Sequence, residues 1–273
     1  MIGVLLALAA SGLWGSADFL AGQASRRVPV LTVTLVSQAA GLAAMAVVLA
    51  VRGGVSTGAA WWGVAAGVVG VAAVTCFYQA LAVGTMSVVA PVVATSAAVP
   101  VLVGLVRGDR PSPLAAIGMG VALAGVLAAS RSPGTARPAD HGRSLVLAVA
   151  AALLLGLQLV FLDGAGHTDA LSGVAASRLA SVVLVGMVAL LRRPAIEPRW
   201  LPQVAVVGLL DTGANLAYAL ASDRGLLSLI AVLASLYPVL TVALAYTRLG
   251  ERLSRTQATG VGLTLIGVIC IVG

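Results

Sequence analysis

Gly108-Asp109-Arg110, followed by Gly118, Gly120 and Gly125, returns later in the chain as Gly250-Glu251-Arg252, followed by Gly260, Gly262 and Gly267. Counted from the acid, the glycines fall at +9, +11 and +16 in both copies. Such a coincidence of spacing marks an internal repeat, so the chain reads as two similar halves. Other positions keep the register. Ser37-Gln38 and Ser177-Arg178 are each followed, fifteen residues after the serine, by an arginine, Arg52 and Arg192. Tyr78 and Tyr218 precede Gly84 and Gly225, and Ser87 and Ser228 follow at +3.

The segments that carry the motif are otherwise Ala, Val, Leu and Ile. The 273-residue chain is 60% hydrophobic and 9% charged, with a mean hydropathy of +1.08. A soluble domain carries about 25% charged residues. So few charges cannot cover a water-facing surface, and the chain is expected to be an integral membrane protein with the lipid bilayer as its solvent. The net charge of +7 would suit nucleic acid in a soluble protein. Here every arginine except Arg178 lies between apolar runs, where it is a topology signal, so no nucleic-acid partner is expected.

A span needs about 20 mostly apolar residues, and polar punctuation divides the chain into ten runs: 2–24, 30–51, 60–83, 86–106, 113–130, 144–165, 170–191, 202–222, 226–247 and 255–272. Membrane strands would be about 9–11 residues long with alternating polarity, and these runs are twice that and apolar on all sides. The fold class expected is therefore all-α, with ten transmembrane helices as two five-helix repeats, 1–130 and 144–273, joined by the polar linker 131–143. Five is odd, so the repeats enter the membrane in opposite senses and are inverted. The loops after runs 1, 3, 5, 7 and 9 hold eleven arginines, and the other side holds Arg52, Arg107, Arg110 and Arg224. The arginine-rich side is expected to be cytoplasmic, with both termini outside. The first run has no basic leader segment and reads as a retained span. Arginine without any lysine points to a GC-rich bacterial genome, and hence to a multi-pass protein of a bacterial inner (plasma) membrane.

Two halves of five helices, a fourth helix carrying Pro91 and Pro100 and a ninth carrying Pro238, each followed by Gly-acid-Arg and a glycine-rich helix, resemble the drug/metabolite transporter superfamily. Within it the chain is most similar to the EamA-type transporters, above all from Tyr237-Pro238 to Gly267. It departs from the usual wording at Asp109, where Glu is commoner, and at Pro111-Ser112-Pro113. The resemblance implies a secondary transporter that moves a small metabolite, such as an amino acid or related zwitterion, by alternating access about a cavity lined by helices 1, 3, 4, 6, 8 and 9. Export is the expected direction. Uptake, or export of drugs or organic cations, is the alternative within the same fold.

Ionisable residues inside spans are candidate site residues: Asp18, Arg178 and Asp211, with Asp163 nearer a span end. Arg178 and Asp211 fall at similar depth on sequential antiparallel helices, so an ion pair is expected. It is either a structural clasp or a device in which Arg178 binds a substrate carboxylate while Asp211 takes up a proton, giving proton or ion coupling. Trp14 lies four residues before Asp18 on one helix face, and a carboxylate beside an aromatic ring suits an ammonium group. The alternative for Asp18 is simple hydration at the cytoplasmic end. Gln38, Tyr78, Gln79, Gln158, Asn215, Tyr218 and Tyr237 complete the expected substrate-binding set, with Asp211, Asn215 and Tyr218 on one cavity-lining face of the eighth helix. Pro91, Pro100 and Pro238 are expected to kink their helices and build a gate.

The paired glycines are expected to let helices pack closely, between the halves or in a homodimer. Asp109 and Glu251 are expected to cap the helices that follow them. Cys76 and Cys270 lie in apolar segments, so no disulfide is expected. His141 and His167 lie outside the runs without ligand-spaced partners, so no metal or other cofactor is expected either. No nucleotide-binding motif is present, which leaves ion or substrate gradients as the driving force. A membrane enzyme would need a nucleophile with its base, or a metal set, within the spans, and none is legible. A non-transporting membrane subunit is the remaining alternative.

Overall fold

The computed structural model describes residues 1–25, 27–83, 92–129, 141–195, 197–249 and 254–272, and among them every regular element is helical. The first half contains α1 (Ile2–Ser25), α2 (Val30–Arg52), α3 (Thr57–Val83), α4 (Ala98–Val106) and α5 (Pro113–Ala129). A 3-10 turn, Thr95–Ala97, leads into α4. In the second half the hydrogen-bonded stretch His141–Arg192 is broken at Asp169, whose backbone is extended (φ −163°, ψ 98°). It is two helices, α6 over 141–168 and α7 over 170–192. Then come α8 (Leu201–Ser222), α9 (Leu227–Ala234), α10 (Tyr237–Leu249) and α11 (Arg255–Val272).

Five stretches are long and apolar enough to cross a membrane, and Val92–Val106, Pro113–Ala129, Leu227–Thr241 and Arg255–Ile271 are shorter apolar helices. The stretch Gly142–Arg192 has 51 residues. At 1.5 Å per residue it is far longer than a bilayer core of about 30 Å. The break at Asp169 turns it back on itself.

Caps are supplied partly across the molecule. Ser254 and Gln257 form a reciprocal capping box at the start of α11, with Ser254 N–H donating to Gln257 Oε1 at 2.9 Å and Gln257 N–H to Ser254 Oγ at 3.2 Å. Ser112, not Asp109, caps α5, its Oγ accepting from Ala115 N–H at 3.1 Å. Asp109 Oδ2 instead accepts from Ser228 N–H at 2.8 Å, in the first turn of α9. The capping expected of Asp109 is thus delivered to a helix of the other half, because the turn folds over that helix's unsatisfied N–H groups. Glu251 lies outside the described residues.

The helices touch where small residues let backbones approach, and the contacts recur with their halves exchanged. Gly15 lies against the Tyr237 carbonyl and Leu240, while Gly156 lies against the Ser96 carbonyl and Val99. Gly67 meets the Ser177 carbonyl, and Gly208 meets that of Ser37. A Cβ on Gly118 would fall 2.7 Å from the Gly267 carbonyl oxygen, and one on Gly260 would fall 2.7 Å from that of Gly125. The pairs 15/156, 67/208 and 118/260 lie 141 or 142 residues apart, the register of the sequence repeat. Four of the paired glycines therefore act between halves, joining α5 to α11. Gly120 and Gly262 face open space.

Candidate functional site

Between the halves lies a cavity of about 820 Å³. Its wall reaches Ser25 and Val30 at the α1–α2 turn, Val188 near the end of α7, Ala129 at the end of α5 and Gln257 at the start of α11. All of these lie toward the arginine-rich connections. Beyond the helices implied by the family resemblance, α2 and α7 also contribute, through Thr34, Gln38, Ser177, Arg178, Ser181 and Val185.

At the centre Arg178 is buried, with both Nη atoms engaged and Nε without a hydrogen-bond partner. Its Nη1 donates to Asp211 Oδ2 at 2.6 Å and to Gln38 Oε1 at 2.6 Å, and Nη2 reaches the Asp211 carbonyl at 3.3 Å. The other carboxylate oxygen of Asp211, Oδ1, accepts from Trp14 Nε1 at 3.1 Å, and Asn215 Nδ2 donates to the Asp211 carbonyl at 2.9 Å. The expected ion pair is present, and it binds α1, α2, α7 and α8 into one cluster. Gln38 and Arg178 are repeat mates, so the pair that meets in the middle occupies the same position in each half. The charge of Arg178 is met by Asp211 and its Nη atoms by three acceptors, while Nε has no partner, an arrangement that favours the structural role of the pair.

Asp18 stands apart. Its carboxylate is exposed within the cavity and has no hydrogen bond or ion pair among the described residues. Trp14 follows the same wall, its ring 6.2 Å from that of Tyr237. The charged residues in the described lining are Asp18, Arg178 and Asp211, two carboxylates against one guanidinium.

Repeat mates expose a difference between the walls. At the register fixed by Gly15 and Gly156, Trp14 corresponds to Leu155 and Asp18 to Leu159. Asp211 corresponds to Gly70, Asn215 to Val74 and Tyr237 to Ser96. Both members of every pair line the cavity. The wall from α1, α8 and α10 is charged and aromatic, and its counterpart from α6, α3 and the turn before α4 is apolar and neutral.

Most expected site residues meet here: Trp14, Asp18, Gln38, Gln79, Gln158, Arg178, Asp211, Asn215, Tyr237 and Pro238 all line the cavity. Tyr218 does not. It is fully buried with its ring 5.9 Å from that of Trp14. It shares the helix face of Asp211 but lies seven residues further along, roughly 10 Å at 1.5 Å per residue, which carries it past the cavity floor. Pro100 is buried in the first turn of α4, away from the lining, and Pro238 lies in the first turn of α10. The ninth run is thus broken at Ser235-Leu236 rather than kinked, with each proline placed where a missing N–H costs nothing. Pro91 and the side chain of Tyr78 lie outside what the structure describes. Ser96 and Ser235, which line the cavity at the two helix breaks, escaped the sequence reading. Their position just before a proline within a span was the available signal.

On the arginine-poor side the molecule is tied shut. Arg52 grips Asp169 through two bonds, Nη1–Oδ1 at 2.7 Å and Nη2–Oδ2 at 2.6 Å. Asp169 also accepts from the Ser172 hydroxyl at 2.7 Å. The Arg52 guanidinium first, and the Ser172 bonds after it, hold the Asp169 carboxyl well below the usual carboxylate range. Arg107 Nη1 lies 2.6 Å from the buried Asp163 Oδ2, and His167 Nδ1 lies 3.3 Å from Asp163 Oδ1. One expectation changes here. His167 sits in the last turn of α6, not in a loop, and it has a carboxylate neighbour four residues back. Asp163, near the end of α6 as expected, is also buried and paired with Arg107 through Oδ2, while Oδ1 has no hydrogen-bond partner among the described residues. Among the described residues no group of His, Cys, Asp or Glu could hold a metal ion.

A multi-pass helical membrane protein whose two repeats enclose a largely apolar cavity with a few charged and polar groups has the architecture of a transporter of small solutes. The family model for the EamA-like transporter family matches residues 1–131 and again 142–273. The chain belongs to that family, which is a family of transporters and not of enzymes. A solved structure described only as a crystal structure of a protein superposes with a TM-score of 0.83 at 21% identity, covering 98% of this chain and 95% of that one. It shows the shared fold. Comparison with curated proteins gave no match.

Proposed function

We propose that the protein is a secondary transporter that exports a small metabolite across the cytoplasmic membrane of a bacterium by alternating access. Ten spans in two inverted five-helix repeats form the carrier. Support for the inversion comes from the exchanged glycine contacts and from the Gln38–Arg178 bond between repeat mates. Such pairing is what a two-fold axis between the halves produces.

One observation carries the functional reading: the cavity at the repeat interface reaches toward the arginine-rich side, and Arg52–Asp169 and Arg107–Asp163 tie the helices together on the other. With the arginine-rich side cytoplasmic, this is the inward-facing state. The outward-facing state requires those pairs to part and the α9–α10 and 3-10/α4 breaks to swing. Binding energy and an ion gradient supply the drive, with proton uptake at the cavity carboxylates as the coupling step.

Reconstituted in liposomes with an imposed pH gradient, the protein is expected to accelerate efflux of members of a metabolite panel over protein-free vesicles. Single cysteines at Ser235 and Ser96, in a background lacking Cys76 and Cys270, are expected to react from the arginine-rich side. Labelling from the opposite side alone would contradict the assigned state.

A further inference from the structure

We propose that the solute held in this cavity is an amphipathic organic cation, with its ammonium group against Asp18 and its apolar body against the wall of Leu155, Leu159 and Val74. This rests on the carrier reading and names its substrate class.

Charge accounting comes first. Arg178 and Asp211 neutralise each other through a 2.6 Å pair, with Gln38 on the guanidinium and Trp14 on the other carboxylate oxygen. What remains in the described lining is the carboxylate of Asp18, exposed in the cavity and without a partner. A cavity with one uncompensated carboxylate selects a monocation. Aromatic rings accompany it: Trp14 is on the same helix face one turn away, and Tyr237 packs edge-on against Trp14. An ammonium over an aromatic face gains cation–π attraction that a neutral or anionic group does not.

The opposite wall then takes the apolar end. Arg178 keeps an unpaired Nε–H, but its charge is offset by Asp211, so a substrate carboxylate would leave the lining with a net negative charge that no free cation meets. At the repeat-mate positions the wall offers Leu155, Leu159, Gly70 and Val74, which desolvate an anion without replacing its water. They suit an aryl or alkyl group. A cavity of about 820 Å³ has room for both ends of such a molecule. The site is two-ended because the repeat kept the framework and only one wall acquired charge.

The test uses purified full-length protein in detergent and follows tryptophan fluorescence. The probes are benzyltrimethylammonium, its uncharged isostere neopentylbenzene, and the zwitterion phenylalanine. Saturable binding of the ammonium is expected at least tenfold tighter than of either other probe. Asp18→Asn is expected to weaken it at least tenfold, and Asp18→Glu to restore most of it. Should Asp18→Asn not fold, the preference of the native protein for the ammonium over the isostere decides. Equal or tighter binding of isostere or zwitterion overturns the proposal. So does an Asp18→Asn variant that folds and binds the ammonium normally, or failure of the ammonium to bind saturably. Flux of phenylalanine through proteoliposomes that ignore the ammonium would defeat this inference and leave the carrier reading standing. Ammonium binding at Asp18 without flux of any probe would do the reverse.

Discussion

The wall built by α1, α8 and α10 and the wall built by α6, α3 and the turn before α4 share one framework and differ in chemistry. Where backbones meet, both halves keep the small residue: Gly15 and Gly156 each sit under a carbonyl from the broken helix beside them. Where side chains enter the cavity, the halves part company, with Asp18 standing where the other half has Leu159 and Asp211 where it has Gly70. Packing tolerates no extra atom at the first kind of position, so both copies are constrained alike. At the second kind only the solute constrains the residue, and one charged wall suffices to orient it.

Making the charged wall copy its mate should produce the largest effect. Asp18→Leu, which reproduces Leu159, is expected to lower cation flux at least a hundredfold, to the level of protein-free vesicles. The reciprocal Leu159→Asp is expected to leave monocation flux within a few-fold and to admit a bis-quaternary ammonium. Retention of flux in Asp18→Leu would show that the walls do not differ in function.

Next comes the clasp between the walls. Arg178→Gln leaves Asp211, whose side chain is 30% exposed to the cavity, without its cation, and should cost less than the ~3–5 kcal/mol of a fully buried pair. Adding Asp211→Asn should recover more than half of it, as thermal unfolding in detergent would show. A double variant worse than the single would indicate that Arg178 is held by something other than this pair.

The framework itself gives a smaller, symmetric prediction. A Cβ on Gly125 would lie 2.5 Å from Thr264 N, and one on Gly267 would lie 2.5 Å from Ala122 N. Gly125→Ala and Gly267→Ala should therefore cost the same, about 1–3 kcal/mol of overpacking. Gly120→Ala and Gly262→Ala, which meet open space, should cost nothing measurable. Unequal costs at 125 and 267 would break the equivalence of the halves.

The smallest effect belongs to the closed side. The Asp169 carboxyl is depressed by Arg52, so its contribution is fully present above the unfolded value near about 4 and is lost as pH falls below it. Protection of the amides at the α6–α7 break against hydrogen exchange, taken relative to the intrinsic rate at each pH, should fall on acidification below that point in the native protein. In Asp169→Asn that protection should be already low and indifferent to pH.

Much of this was legible in the sequence because lipid makes few demands and makes them everywhere: apolar runs of span length, arginines at their ends and glycines at repeat spacing. Helix limits follow the runs closely, as with 113–130 against Pro113–Ala129 and 202–222 against Leu201–Ser222. The Arg178–Asp211 pair followed from depth along two antiparallel helices. What escaped depends on third partners. That Gln38 and Trp14 would join the pair, which leaves Asp18 as the uncompensated charge, required side chains from helices distant in sequence. Asp109 capping α9, Tyr218 lying below the cavity floor and Asp163 gathering Arg107 and His167 are of the same kind. Periodicity names a face, and only packing decides how far along that face the cavity extends.

The central claim is that a cavity with one charged wall carries a cation across the membrane. Counterflow of radiolabelled benzyltrimethylammonium into proteoliposomes preloaded with the same unlabelled cation tests it most directly. The account predicts a saturable overshoot with the native protein that disappears with Asp18→Asn. Label entry no faster than into protein-free vesicles, or an overshoot that survives the loss of the Asp18 charge, would contradict it.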